Sequence, residues 1–373
     1  MHLEKLHIIN YRNIAQADII VSPGINCFVG VNGAGKTNML DSIYYLSFCK
    51  SYTGVIDSLN ILHEQQFMVL QGEYEIDGQS DTFYCGIKRG CKKQFKRNKT
   101  DYQRVSDHIG VLPLVIVAPA DEALIYDSAE IRRKYMDSVI SQSDKQYLDV
   151  LMRYNKLIIN RNLLLKQMQT SLDEGRPIDM SLLDVHDQQL GRYGTFIAER
   201  RRSFVEWLTP CVCKTYEEMS QEVGRIGIVY KTGLDKYELY QGLVEARQRD
   251  LALGYTSRGI HKDDLEITFE GYPLRQVGSQ GQRKSFVISL KLAQYRYLEY
   301  KRACSPILLL DDVFDKLDAS RGENLIRIVS SQSFGQIFIS DTNRERLAAL
   351  LERLDKPYKI FDVKDGSVSE LIG

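Results

Sequence analysis

The stretch "CFVGVNGAGKTNML", residues 27–40, runs from an apolar segment through a glycine turn into an amphipathic one, and it constrains the chain more than any other part. Gly30, Val31, Asn32, Gly33, Ala34, Gly35, Lys36 and Thr37 match G-x-x-x-x-G-K-[ST] in full. A polyphosphate is held where several backbone N–H groups converge at a helix N-terminus, and only a glycine-rich turn lets the backbone approach that closely. Lys36 then reaches the β- and γ-phosphates, and the Thr37 hydroxyl holds Mg²⁺. With glycine near 7% of average usage, the full pattern arises by accident in roughly one chain of this length in a hundred. Met39, Leu40, Ile43, Tyr44 and Leu46 recur at helical spacing after the turn, so the segment predicts strand, phosphate loop and helix.

Such a loop needs a partner, a hydrophobic strand ending in Asp, and "ILLLDD" (Ile307 to Asp312) supplies it. Four aliphatics in a row fit a strand buried on both faces of a parallel sheet, and a carboxylate at its C-terminal end lies where ligands of such sheets bind. Asp311 is expected to contact Mg²⁺ through water, and Asp312 to polarise the attacking water in ATP hydrolysis. Lys36 and Asp311 lie about 275 positions apart, whereas a compact nucleotide fold brings its second motif within one domain length, roughly 100 residues. The ATPase is therefore split around an insertion. Shortly before the second motif, in "VGSQGQRKSFVISLKLAQYRYL", Ser279, Gly281 and Gln282 stand at the start of a long amphipathic helix. A Ser N-cap followed by glycine amides suits an anion, and the first loop already holds the chain's own nucleotide.

The organisation follows from hydrophobic period. "HLEKLHII", "QADIIV" and "INCFVG" read as strands, and residues 66–105 alternate like an antiparallel meander. From 121 to 250 the periodicity is helical, broken by "DEGRP"; strands return at "LEITFEG", "PILLLDD" and "QIFIS", with helices between and a helix last. The expected fold is α/β: residues 1–120 and 251–373 form one P-loop ATPase head, and 121–250 an inserted all-helical lobe with short helices and no long coiled coil.

Lys plus Arg and Asp plus Glu both number 49, so attraction to nucleic acid has to come from local patches rather than a global field. Candidates are "KRGCKKQFKRNKTDYQR" (88–104), Arg132–Arg133–Lys134 and Arg200 to Arg202; on an exposed hairpin, such cations suit phosphate contacts without base reading. The 7 cysteines include no C-x-x-C pair and read as reduced, buried thiols. No apolar run approaches the roughly 20 residues needed to span a bilayer, so a cytosolic location and no membrane partner are expected.

Ser-x-Gly-Gln, "LLLDD" and "KLD" (Lys316 to Asp318) together resemble the signature, Walker B and D-loop of ATP-binding-cassette ATPases. More narrowly, "LHIINYRNI", "GVNGAGKTNMLDSIYYLS", "IRRKYMDSVI", "YNKLIINRNLLL", "GIHKDDLEI", "GSQGQRKS" and "LLLDDVFDKLD" are similar, in order, to the RecF family of bacterial recombination-mediator ATPases. That resemblance implies an ATP-dependent homodimer in which Ser279, Gly281 and Gln282 cap the partner's ATP, with Arg12 and Asn13 against the nucleotide. It also implies slow, DNA-dependent hydrolysis, binding to double-stranded or gapped DNA, and work with RecO and RecR to load RecA. Two rivals are a coiled-coil chromosome-maintenance ATPase, which needs far longer heptad arms, and a transporter's nucleotide-binding subunit.

Three departures from the family pattern matter. Asp312 stands where transporter cassettes carry Glu, which implies slow turnover. Ile260 and Lys262 replace the usual Pro and Arg of the "GIHKDD" loop. No His appears near "FISDTN"; Asp341 or Thr342 could take the γ-phosphate sensor's place, while Thr342 with Glu345 also matches a capping box.

Overall fold

The computed structural model describes the chain except residues 221–223, 236–237, 315–316, 331–333, 352–355 and 372–373. It divides into two compact units, one comprising Met1–Glu122, Lys214–Glu222 and Ser279–Gly373, the other Ala123–Cys213 and Val223–Gly278.

The first unit holds two sheets. β1 (His2–Tyr11), β2 (Ile14–Ile20), β4 (Phe67–Ile76), β5 (Gln79–Lys88), β6 (Gln94–Arg97) and β7 (Thr100–Asp101) form an antiparallel sheet in the order β2-β1-β4-β5-β6-β7. The alternation read from the sequence is the burial pattern of these strands; β5, for example, buries Asp81, Phe83, Cys85 and Ile87 on one face. The second sheet has the order β15-β14-β3-β13-β12-β8. Its strands are β3 (Ile25–Val29), β8 (Leu114–Val117), β12 (Ile307–Asp311), β13 (Ile337–Asp341), β14 (Tyr358–Lys364) and β15 (Ser367–Leu371). All pair in parallel except the edge hairpin β14–β15.

Every residue of β3, β8, β12 and β13 is buried, as a sheet covered on both faces requires. α1 (Lys36–Phe48) packs its aliphatic face into this core, and Phe28 stacks with Phe338 and Phe361. α8 (Gln280–Arg302), α9 (Ala319–Ser330) and α10 (Arg344–Leu351) complete the unit. The expectation of a helix last is corrected by β14, which adds a parallel strand beside β3, and by β15, which the Asp365–Gly366 turn, with Gly366 at φ 78, folds back antiparallel onto β14.

The second unit contains α2 (Ala123–Tyr126), α3 (Ala129–Ser143), α4 (Lys145–Asp173), α6 (Leu239–Leu253), α7 (Leu274–Val277) and most of α5 (Ser181–Ser220). Against the all-helical expectation for 121–250, β9 (Ile226–Lys231) is a strand; it pairs with β10 (Asp264–Phe269), the strand expected at "LEITFEG", which pairs in turn with β11 (Tyr272–Pro273) in a three-stranded sheet. The unit also runs to Gly278 instead of ending at 250. β9 alternates Ile226, Ile228 and Tyr230 toward the core, but lies outside any hairpin signal because its partner β10 is more than 30 positions away. Nor are the helices short: α4 has 29 residues and α5 has 40, with Pro210 inside. They remain far below the hundreds of residues of a chromosome-maintenance coiled coil.

Candidate functional site

The phosphate loop lies between β3 and α1. Gly35 is the N-cap at φ 119, no side chain caps the helix, and its first turn carries no acid. The first amides of α1 are thus left for an anion, in the positive end of the helix dipole. Gly35 suits this position because L side chains rarely adopt its φ of 119, and a Cβ there would also sit 2.9 Å from the Asn13 side-chain oxygen. Asn13 Nδ2 donates to the Ala34 carbonyl (3.1 Å), and Gly366 N donates to the same oxygen (2.9 Å), so β1–β2 and β14–β15 both brace the loop. Lys36 is buried and folds back on the loop, its Nζ donating to the carbonyls of Gly30 (2.9 Å) and Val31 (3.1 Å).

Across the sheet, the Thr37 hydroxyl donates to Asp311 Oδ1 at 2.9 Å. β13 lies between the two strands concerned, and its Ser340 joins them: Ser340 Oγ donates to Asp311 Oδ1 (2.6 Å) and accepts from Asp312 N (2.9 Å). Burial pushes the Asp311 carboxyl above its ordinary pKa, opposed by the hydrogen bonds from Ser340 and Thr37 and by the charge of Lys36. A buried carboxylate beside two hydroxyls is a set of hard oxygen donors, which suits Mg²⁺. Asp312 follows at φ 46, a conformation non-glycine residues rarely adopt, and it turns the chain sharply at the strand's end. No local pattern in the sequence marks Ser340, a lone serine within "FISDTN".

The other expected residues are distributed as follows. Arg12 reaches the first turn of α1, where its guanidinium meets Asn38. Its guanidinium pairs with Asp41 (2.8 Å) and donates to Asn60, Asn38, Ser51 and Thr53. Asp341 accepts two bonds from Arg346 (2.9 and 2.7 Å) and one from Asn343 N (2.7 Å). The cap seen on α10 is Asn343, which accepts from Arg346 N at 2.9 Å. Ser279 and Gln282 form a reciprocal capping box on α8, Gln282 N to Ser279 Oγ at 3.2 Å and Ser279 N to Gln282 Oε1 at 2.8 Å. Gly281 sits under the Arg321 guanidinium, where any Cβ would collide, and Arg321 pairs with Asp318 at 3.3 Å. Ser279 is exposed, on a different element from those meeting at Asp311. Lys316 of the "KLD" motif lies outside the described residues.

The basic clusters change character in three dimensions. Lys93 turns inward to Asp57 (2.8 Å), the Cys49 carbonyl and the Tyr45 hydroxyl. Arg97 pairs with Asp81 (2.6 Å) and Lys96 lies 3.8 Å from Asp101. Only Lys88, Arg89, Lys92 and Lys99 among the hairpin's exposed cations keep their charge outward without such a pair. In the second unit Arg132 pairs with Asp264 (2.7 Å), Arg133 donates to the Asp263 carbonyl (2.6 Å), and buried Arg201 pairs with Asp137 (2.9 Å). These arginines hold the "GIHKDD" loop, whose His261 is pushed by burial to a pKa of about 4 and is neutral at neutral pH. As DNA-facing patches, 132–133 and 201 are therefore corrected: Arg132 and Arg201 are turned to the Asp264 and Asp137 carboxylates and Arg133 to the Asp263 backbone carbonyl.

No helix among the described residues is long and apolar enough to cross a membrane. Residues 2–369 match the family described as RecF/RecN/SMC N terminal domain. The chain is 46% identical over 372 residues to the DNA replication and repair protein RecF of Bacteroides fragilis, spanning 100% of this chain and 99% of that one. It superposes on the recombination mediator protein RecF of the RecFOR pathway, solved with ATP, with a TM-score of 0.87 at 28% identity over 99% of both chains. An Smc head bound to the C-winged helix domain of ScpA shares the fold, with a TM-score of 0.60 at 14% identity, over 100% of this chain and 97% of that one. With its phosphate loop, its Asp311 strand end and this full-length kinship, the chain belongs to the RecF branch of the RecF/RecN/SMC ATPases.

Proposed function

We propose that the chain is an ATP-driven clamp of bacterial recombinational repair. It binds ATP at Gly30–Thr37, dimerises so that Ser279, Gly281 and Gln282 of each subunit cap the other's γ-phosphate, closes on duplex DNA at single-strand gaps, and works with RecO and RecR to load RecA in the cytoplasm. The observation that carries the reading is the Thr37–Asp311 hydrogen bond, which brings the two motifs together from opposite ends of the chain.

The division of labour follows from the residues. Backbone amides of Gly33 to Thr37 and the Lys36 ammonium, exchanging its loop carbonyls for phosphate oxygens, bind the triphosphate. Thr37 would hold Mg²⁺ directly and Asp311 through water, and a bound ion would supply positive charge against the triphosphate. Asp312 orients the attacking water and accepts its proton. Ser340 positions both carboxylates, Asp311 through its side chain and Asp312 through its backbone. Asn13 braces the loop through the Ala34 carbonyl, and Arg12, held beside Asn38, the residue after Thr37, lies with Asn13 against the nucleotide. A carboxylate as short as Asp312 at this position supports slow turnover, as a switch requires.

Sedimentation velocity tests the proposal. The protein should be a monomer without nucleotide, a dimer with ATP, and a larger complex when gapped duplex is added; Lys36→Ala should remain a monomer throughout. ATP-independent behaviour of the parent protein would overturn it.

A further inference from the structure

α4 carries two seams with the alternating four-and-three spacing of a coiled coil. The inner one, Tyr147, Leu151, Tyr154, Ile158, Arg161, Leu165 and Met168, is mostly buried. It is locked by Arg161, whose fully buried guanidinium pairs with Asp187 of α5 (2.6 Å) and Asp250 of α6 (2.7 Å). This network fixes the helix's rotation. The outer seam is Met152, Lys156, Ile159, Leu163, Lys166 and Thr170, and it faces solvent: Met152 is 49%, Ile159 67% and Leu163 57% exposed. Held rigid from behind, these side chains form a stripe whose apolar part spans roughly 16 Å at 1.5 Å rise per residue.

Charge narrows the occupant. From Val150 to Leu172 there is no Asp or Glu, while Arg153, Lys156 and Lys166 lie on or beside the stripe. None of the three cations forms an ion pair among the described residues. A second copy of α4 would set lysine against lysine, which disfavours self-pairing. DNA would meet the cations but leave three large aliphatic side chains against a hydrated phosphate backbone. A helix with apolar seam residues and carboxylates opposite Lys156 and Lys166 satisfies both halves of the surface.

We infer that the outer seam of α4 docks an acidic amphipathic helix of another protein, alongside it in coiled-coil fashion. The inference rests on the proposed mediator role only for the choice of partner proteins. The full-length protein is titrated by fluorescence anisotropy with RecO, RecR and RecA of the same bacterium. It is titrated in parallel with a designed helical peptide bearing Leu and Ile on its seam and Glu opposite the lysines, against a control peptide with Lys for Glu. At least one of the three proteins and the Glu peptide should bind tenfold or more weakly to Ile159→Ser/Leu163→Ser. Lys156→Glu/Lys166→Glu should reverse the peptide preference, while affinities for ATP and gapped duplex hold. Equal binding of the two peptides by the parent, or affinities of both double variants within twofold of the parent, overturns the inference. If the parent prefers the Glu peptide but binds none of the three proteins, the seam stands and the partner part of the mediator role fails.

Discussion

Thr37, at the first turn of α1, donates its hydroxyl to Asp311, at the end of β12, across 274 positions of sequence. The bond closes one site from two chain ends, and it places a carboxylate where burial disfavours its charge. Such a charge costs the nucleotide-free protein stability.

Asp311→Asn should stabilise the nucleotide-free protein at pH 7 while abolishing the gain from MgATP. The folded pKa of Asp311 is raised, so its protonated form contributes stability that is present below the unfolded-state pKa and lost as pH rises through the folded one. The amide keeps an acceptor for Thr37 and Ser340 without the charge. Thermal unfolding with and without MgATP measures both effects: the variant's advantage should be larger at pH 7 than at pH 4, and the parent alone should gain about 2.7 kcal/mol when ATP reaches a hundredfold its Kd. A variant less stable than the parent at both pH values would show that the carboxylate is structural.

Ser340→Ala should slow hydrolysis roughly tenfold while leaving ATP affinity within a few-fold. The hydroxyl's two bonds aim Asp311 and the Asp312 backbone, and a lost hydrogen bond of about 1–1.5 kcal/mol corresponds to about a tenfold rate change. Single-turnover hydrolysis beside equilibrium binding separates the two quantities. Ser340→Thr, which keeps the hydroxyl, should recover most of the rate; failure of that recovery would assign the loss to packing.

The reach of the sequence can be judged from these same residues. The phosphate loop, its strand and the "LLLDD" strand were legible because each is a local pattern with a steric reason, and all four aliphatics of β12 are indeed buried. Ser340 was not legible, since a serine at a strand end acquires meaning only when β13 is inserted between β3 and β12. The same limit hid β9, whose pairing partner is distant, and it misled on the basic clusters. A run such as "IRRKY" tells nothing of the carboxylates that folding brings to it, and Arg132 meets Asp264 from 132 positions away.

Ser279→Arg should bind ATP as a monomer yet fail to dimerise, since a long side chain at the exposed start of α8 obstructs the surface proposed to cap the partner's phosphate. The substitution also removes the Ser279 side-chain acceptor for Gln282 N, at a cost of about 1 kcal/mol in stability. Ser279→Thr, which preserves the cap without the bulk, is the control and should dimerise. Sedimentation with ATP decides it: dimerisation of the Arg variant would remove α8 from the interface.

The hairpin offers a sharper distinction between lysines that share a sequence run. Lys88→Ala, Lys92→Ala and Lys99→Ala together should weaken duplex binding in the presence of ATP, equally for all sequences. The slope of log affinity against log salt should fall by about 0.9 for each DNA phosphate that the variant no longer neutralises. Lys93→Ala should behave differently, because its ammonium is engaged by Asp57, the Cys49 carbonyl and the Tyr45 hydroxyl. Its removal strands a carboxylate and should lower the unfolding temperature, while the salt slope stays that of the parent. Fluorescent-duplex titrations at several salt concentrations, paired with thermal unfolding of each variant, test both statements. If the triple variant keeps the parent's affinity and slope, the hairpin is a solvated edge of the sheet and DNA is held elsewhere on the protein.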